Sequence, residues 1–291
     1  MKTNPELIAD ARVHDLGDGF LVRRMLPVLQ TRHVGPFVFF DHLGPVQLPP
    51  GKGMDVRPHP HIGLATVTWL FDGAIRHRDS LGSLADIRPG EVNWMTSGRG
   101  IVHSERTPPE ERASGQKMHG IQVWVALPQA DAETDPAFYH HDRDALPKIS
   151  RPGVEAVLIA GTAYGESSPV KVFAPMFFLE VSLAAGAELE LPAEHFERGV
   201  HVVEGAVEWG GLECGATQMA VQAGPDAPVL RAREPSRVML FGGAPLDGDR
   251  HLFWNFVASS RERIEQAKDD WREGRFAKVP GDEEEFIPLP G

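Results

Sequence analysis

The sequence predicts an all-β protein with a single helix near its C-terminus. Gly and Pro, 30 and 25 of 291 residues, are spread along the whole chain and cut it into short apolar runs. Those runs are rich in β-branched and aromatic residues, and few stretches keep a 3.6-residue period. Many short strands between turns read as a sandwich or barrel.

The strands are expected at 37–40, 65–71, 120–125, 155–160, 177–181 and 237–241. The helix follows Ser259, which with Glu262 forms a capping-box pattern. Ile264, Ala267 and Trp271 then share one helical face, and Gly274 is a natural stop. The acidic stretch 281–285 reads as solvated, with Phe286 and Ile287 able to dock.

A loop rich in Pro, Asp and Ala, 127–152, separates two strand-rich halves. Trp69-Leu70-Phe71-Asp72-Gly73-Ala74 parallels His201-Val202-Val203-Glu204-Gly205-Ala206 at an offset of 132. The simplest account is a duplicated β-barrel unit. The expected division is a metal-binding barrel at 1–130, a linker at 131–152, a second barrel at 153–250, and a helix with its tail at 251–291.

Bulk properties exclude several classes. The formal net charge is −12, which repels phosphate backbones. The best basic run, Arg76-His77-Arg78, is too short to overcome that, so no direct nucleic-acid binding is expected. No run of 18 apolar residues exists, and Met1-Lys2-Thr3-Asn4-Pro5-Glu6 lacks a signal-peptide core. A single cysteine, Cys214, rules out an internal disulfide. These features suit a soluble, cytoplasmic protein with no membrane association.

Two short segments carry the chemistry. Arg57-Pro58-His59-Pro60-His61-Ile62-Gly63 and Ser97-Gly98-Arg99-Gly100-Ile101-Val102-His103-Ser104-Glu105 each place two metal-binding side chains at i and i+2. On a strand, i and i+2 point to the same face. Two such strands facing one interior bring three imidazoles and one carboxylate to a point. Those donors suit Fe, Mn, Co, Ni, Cu or Zn without a thiolate. Three His and one Glu leave about two octahedral positions open, whereas structural zinc sites are closed and usually thiolate-rich.

His59-Pro60-His61, followed by Thr66 and Gly73, resembles the first cupin motif, with Thr66 where cupins usually carry a ligand glutamate. Gly98-Arg99-Gly100-Ile101-Val102-His103 is similar to the second motif, with Gly98 where proline is usual. Glu105 replaces the lost glutamate, and that variant resembles the pirin family. Phe39-Phe40-Asp41-His42-Leu43-Gly44, the segment from Arg57 to Gly73, the segment from Gly90 to Glu105 and the segment from Phe253 to Trp271 extend the resemblance over essentially the whole chain.

The resemblance implies two tandem cupin barrels of double-stranded β-helix (jelly-roll) type with a C-terminal helix. It implies one Fe(II) held by His59, His61, His103 and Glu105. It implies flavonol 2,3-dioxygenase (quercetinase) chemistry with O2 as co-substrate and Glu105 as both ligand and base. Pirin-like proteins also act through protein partners, so an iron-dependent redox-sensing regulator is the alternative. No ligand set is expected in the second barrel. On the 132-residue offset, His59 and His61 fall on Leu191 and Ala193, and His103 falls near Ser236. His195, Glu197 and His201 could form a second cluster, but read as surface or strand-end polar residues.

Around the metal, Asp41 could accept an N–H from a ligand imidazole. His42 reads equally as a metal-supporting or a packing residue. Trp69, Trp94, Met95, Phe37 and Phe39 are candidates to line an apolar pocket. His14, His33, His77, His119, His140, His141 and His251 read as surface or structural.

Overall fold

The computed structural model describes residues 4–8, 12–15, 21–226 and 228–291. Met1–Thr3, on which part of the leader reading rests, lies outside them. The fold is mostly strand, with a long helix at Arg261–Arg272 and a short one at Pro109–Ser114. The chain divides into two compact units. One gathers 41–141 and 247–291; the other gathers 23–40 and 142–246, each with a short N-terminal stretch.

This division differs from the simple tandem expected. Residues 23–40 belong with the second barrel, and the helix and tail belong with the first. The stretch 131–152, expected as a linker, carries paired strands. Ala137–His141 pairs with Val92–Thr96, and Lys148–Arg151 pairs with Val154–Ala163. Its Pro and Asp residues had suggested a loop, but cross-strand pairing outweighs low local β-propensity.

In the first barrel, the large sheet runs Ala137–His141, Val92–Thr96, Leu64–Asp72, Gln116–Ala126 and the C-terminal half of Phe37–Leu48. Its small sheet runs Asp55–His61, Ile101–Arg106, Ile75–Asp79 and Leu84–Ile87. In the second barrel, the large sheet runs Met219–Ala223, Glu197–Glu204, Ser236–Gly243, Met176–Leu183 and Val154–Ala163. Its small sheet runs Glu188–Glu190, Val229–Ala232, Ala206–Trp209 and Leu212–Gly215. The small-sheet orders match strand for strand, and in the large sheets Val92–Thr96, Leu64–Asp72, Gln116–Ala126 and Phe37–Leu48 match Met219–Ala223, Glu197–Glu204, Ser236–Gly243 and Met176–Leu183 in the same order, which bears out two cupin barrels. Gly73 and Gly205, the residues that first paired the halves, both turn the chain at positive φ, 88° and 82°.

Each barrel has its own core. Leu43, Leu70, Ile75, Ile87 and Met118 pack together in the first. Leu158, Leu179, Trp209, Leu230 and Leu240 do so in the second. Phe37, expected near the metal, packs instead on Phe178 and Phe241 at 5.7 and 5.2 Å between ring centres. An apolar run shows that a strand is buried, but not which core it enters.

The helix is capped by Ser260, whose Oγ accepts from the Arg263 amide at 3.2 Å. The cap therefore sits one residue beyond Ser259, and the expected capping box does not form. Ile264 and Ala267 are buried. The acidic stretch beyond the helix stays exposed at Glu283, Glu284 and Glu285, as expected, but the tail is tethered at several points. Arg106 donates to Asp282 and Glu285, and the Ile287 amide donates to the Pro58 carbonyl at 2.9 Å.

Candidate metal centre

The two sequence segments fold as neighbouring strands of the first barrel's small sheet. Asp55–His61 pairs antiparallel with Ile101–Arg106, in register at His103↔His59 and Ile101↔His61. Alternation then turns His59, His61 and His103 to one face. Glycines fix the turns between strands. A Cβ on Gly63 would lie 2.0 Å from the Val257 carbonyl oxygen. Gly98 has φ +49°, and its Cβ would lie 1.9 Å from the Thr134 oxygen. That explains glycine here in place of the usual cupin proline, whose ring holds φ near −65°.

The three imidazoles converge. Their ligand nitrogens lie within 4.8 Å of one another. His61 Nε2 and His103 Nε2 are 3.1 Å apart, and the ring centres are 4.5 to 5.0 Å apart. All three rings are buried. Burial pushes His59 down to about 4, with a nearby backbone bond from Arg57 opposing and His77 assisting. Burial also holds His61 and His103 well below the ordinary imidazole value, and the neighbouring imidazoles add to the effect.

Neutral rings offer lone pairs, which a metal needs. His59 Nδ1–H donates to the Arg57 carbonyl at 2.8 Å, which leaves Nε2 as the ligand atom. Three converging neutral imidazoles, buried and unprotonated, fit a divalent transition metal.

Glu105 stands outside the 4.8 Å set. A register shift between His103 and Glu105 offsets it along the strand. Its carboxylate instead accepts from Gln122 Nε2 at 2.8 and 2.9 Å and faces the Thr68 hydroxyl at 3.5 Å. Gln122 and Thr68 are cross-strand partners in the large sheet. Burial raises the Glu105 carboxyl above its ordinary value, against those hydrogen bonds.

Other expectations resolve as follows. Trp69, Trp94 and Met95 are buried core residues of the same barrel. Trp124 packs edge-on against His61 at 5.3 Å, a contact the sequence reading missed. Asp41 is buried, but the partners that orient His59 and His103 are Arg57 and His77. His42 pairs with His119, Nε2 to Nε2 at 2.9 Å, so of the surface and structural readings of His119 the structural one holds. His77, read as surface or structural, is buried and reaches His103, a contact with the candidate ligands that the sequence reading did not assign. The signal was present, because His77 and Asp79 repeat the same i, i+2 spacing. It was masked by reading Arg76-His77-Arg78 as a basic run. Arg76 in fact forms a bidentate pair with Asp86 at 2.6 and 2.8 Å.

In the second barrel, His195 Nε2 donates to the Thr162 carbonyl at 2.9 Å, Glu197 accepts from the Gly35 amide, and His201 packs on Phe40. They form no metal-ligand group among the described residues.

Fold and site together define a cupin protein of two barrels, one of which carries a three-histidine cluster that could hold a metal. The chain belongs to the pirin family. The Pirin model matches residues 19–125, and the Pirin C-terminal cupin domain matches 178–277. A pirin-like protein of Caulobacter vibrioides is 52% identical over 98% of this chain and 99% of its own length. A solved quercetin 2,3-dioxygenase of Acinetobacter baumannii is 34% identical, superposes with a TM-score of 0.90, and covers 100% of this chain and 95% of its own. The nickel(II) complex of the pirin YhhW of Escherichia coli, 19% identical over 83% of this chain and 100% of its own, shares the fold with a TM-score of 0.65. Among the described residues, no helix is long and apolar enough to cross a membrane.

Proposed function

We propose that this protein is a flavonol 2,3-dioxygenase of the quercetinase type, working in the cytoplasm with one Fe(II) in its first barrel. The observation that carries the reading is the pairing of a neutral three-histidine cluster with a separate, hydrogen-bonded carboxylate. The likeness to the Acinetobacter baumannii quercetin 2,3-dioxygenase supports the substrate class. His59, His61 and His103 would hold the metal, with Glu105 as the fourth ligand. The metal, when bound, would supply Lewis acidity to the flavonol 3-hydroxyl and a redox-active centre for O2.

The chain's own residues do the rest. Glu105 takes the 3-hydroxyl proton as general base, turning from Gln122 toward the substrate. Gln122 and Thr68 hold the carboxylate until it is needed. Burial of the site keeps water from the substrate anion. Ring cleavage consumes one O2 and releases carbon monoxide.

The test is aerobic quercetin turnover by protein loaded anaerobically with Fe(II), followed as loss of flavonol absorbance. Turnover that vanishes in His103→Ala supports the reading. Iron that binds without any turnover of quercetin overturns it.

A further inference from the structure

A chain of hydrogen bonds runs away from the metal cluster into the small sheet. His103 Nδ1 lies 3.3 Å from His77 Nδ1. On the far side of its ring, His77 Nε2 lies 3.0 Å from Asp79 Oδ2. Asp79 Oδ1 in turn accepts the backbone amides of Leu81 at 2.9 Å and Ser83 at 3.0 Å. All three side chains are buried, at 1%, 3% and 0% exposure for His103, His77 and Asp79. Phe138 stacks flat on the His77 ring at 4.2 Å and holds its plane. Strand register sets the layout: Ile101–Arg106 pairs with Ile75–Asp79, placing His103 opposite Asp79 and Glu105 opposite His77.

The direction of each proton follows from the far end. Two backbone N–H groups on Oδ1 fix the rotamer of Asp79 and favour its charged form. A carboxylate only accepts, so the His77 Nε2 atom must carry the hydrogen. In neutral His77, Nδ1 is then the lone-pair nitrogen. Two facing Nδ1 atoms need one hydrogen between them, so His103 Nδ1 must donate it. That leaves the lone pair of His103 on Nε2, the nitrogen that faces His61.

We propose that Asp79 and His77 are positioning residues for the metal centre. Together they impose on His103 the single tautomer that can ligate a metal through Nε2. Direct carboxylate–histidine–metal triads are a common way to orient a ligand. Here a second imidazole is interposed, so the carboxylate sets the tautomer of a ring it does not touch. The inference rests on His103 being a metal ligand and is independent of the flavonol substrate.

Three variants test it. In Asp79→Asn, the amide oxygen stays on the Leu81 and Ser83 amides and its NH2 faces His77. His77 must then accept at Nε2 and donate from Nδ1, which forces the hydrogen of His103 onto Nε2. Metal-free protein labelled with 15N at histidine should show His103 switching from the Nδ1–H to the Nε2–H form in long-range 1H–15N spectra. Its affinity for Co(II), read by chelator competition, should fall about 10–100-fold. His77→Gln can donate to Asp79 and accept from His103, so it should keep the native tautomer and bind Co(II) within about threefold of wild type. His77→Phe keeps the ring stack without either bond, and should lose affinity as Asp79→Asn does. A native His103 tautomer in Asp79→Asn overturns the proposal, as does equal loss of Co(II) affinity in His77→Gln and His77→Phe. The tautomer is read without metal or substrate, so failure of the quercetinase reading leaves this test intact.

Discussion

The two barrels share a strand order and differ in what fills one row of it. In the first barrel, His103 sits between His59 and Asp79 on its two neighbouring strands. In the second, Leu230 sits between Leu189 and Trp209 on the matching strands. Two residues along, Glu105 lies opposite His77 in the first barrel. There the second has Ala232 opposite Val207. Leu189, Trp209, Leu230, Ala232 and Val207 all belong to one buried apolar cluster. The same backbone thus carries a polar row with the candidate metal ligands in one copy and an ordinary core row in the other. Within a barrel, the strand order does not require the polar row, and a few side chains decide whether it is present.

This difference is probed most directly by exchanging the central residue of the row. His103→Leu puts the second barrel's residue into the first. Metal retained after dialysis should fall to background, while the metal-free protein should lose only about 1–3 kcal/mol in denaturant titrations, the cost of leaving the buried His77 Nδ1 without its partner. A large loss of metal-free stability would show that the polar row also holds the barrel together. The reverse exchange, Leu230→His, buries an imidazole among apolar side chains and should cost about 1–3 kcal/mol in denaturant titrations. If it costs nothing, the second barrel's row is looser than its burial suggests.

Glu105→Gln sharpens the comparison within the row itself. It keeps shape and removes the base. Turnover of quercetin should drop about 100-fold or more, the range for loss of a general base. Flavonol binding, read separately by titration under anaerobic conditions, should change far less. Equal loss of both would leave Glu105 as a ligand alone.

The sequence exposed the polar row through local spacing. His59 and His61, and His103 and Glu105, stand at i and i+2 beside glycines, and that pattern alone implies one shared face. The convergence of the three imidazoles follows from it. The position of Glu105 does not, because a register shift of one residue in a strand leaves no mark in composition. The counterpart of His103 was also misplaced. A constant offset of 132 points to Ser236, whereas strand register points to Leu230, since turns of unequal length separate the matching strands. Other features join residues far apart in the chain. Arg106 meets Asp282 across 176 positions, and no short window contains both. Phe37 carried an apolar signal that named a core without saying which one.

The smallest effect expected lies at the edge of the same row. In each small sheet an arginine pairs with an acid across the strand: Arg106 with Asp55 in the first barrel, and Arg231 with Glu188 in the second. Arg231 and Glu188 are about half exposed, at 54% and 51%, and such pairs add little. Arg106 is less exposed and also binds Asp282 and Glu285 of the docked tail. Burial works to raise the Asp282 carboxyl, but hydrogen bonds from Arg106 and Ser104 and the charges of Arg106 and Arg78 together outweigh it and hold the group below its ordinary value. A carboxyl depressed in the folded state adds stability above its unfolded pKa, and that stability is lost as pH falls through the folded pKa. Asp282→Asn should therefore cost about 1 kcal/mol or less near neutral pH, and the gap from wild type should close as pH falls below about 4. Glu188→Gln should show no measurable gap at either pH. Thermal melts of both variants across that range decide the point, and a gap for Asp282→Asn that persists in acid would mean the tail is held by its apolar contacts rather than by this pair.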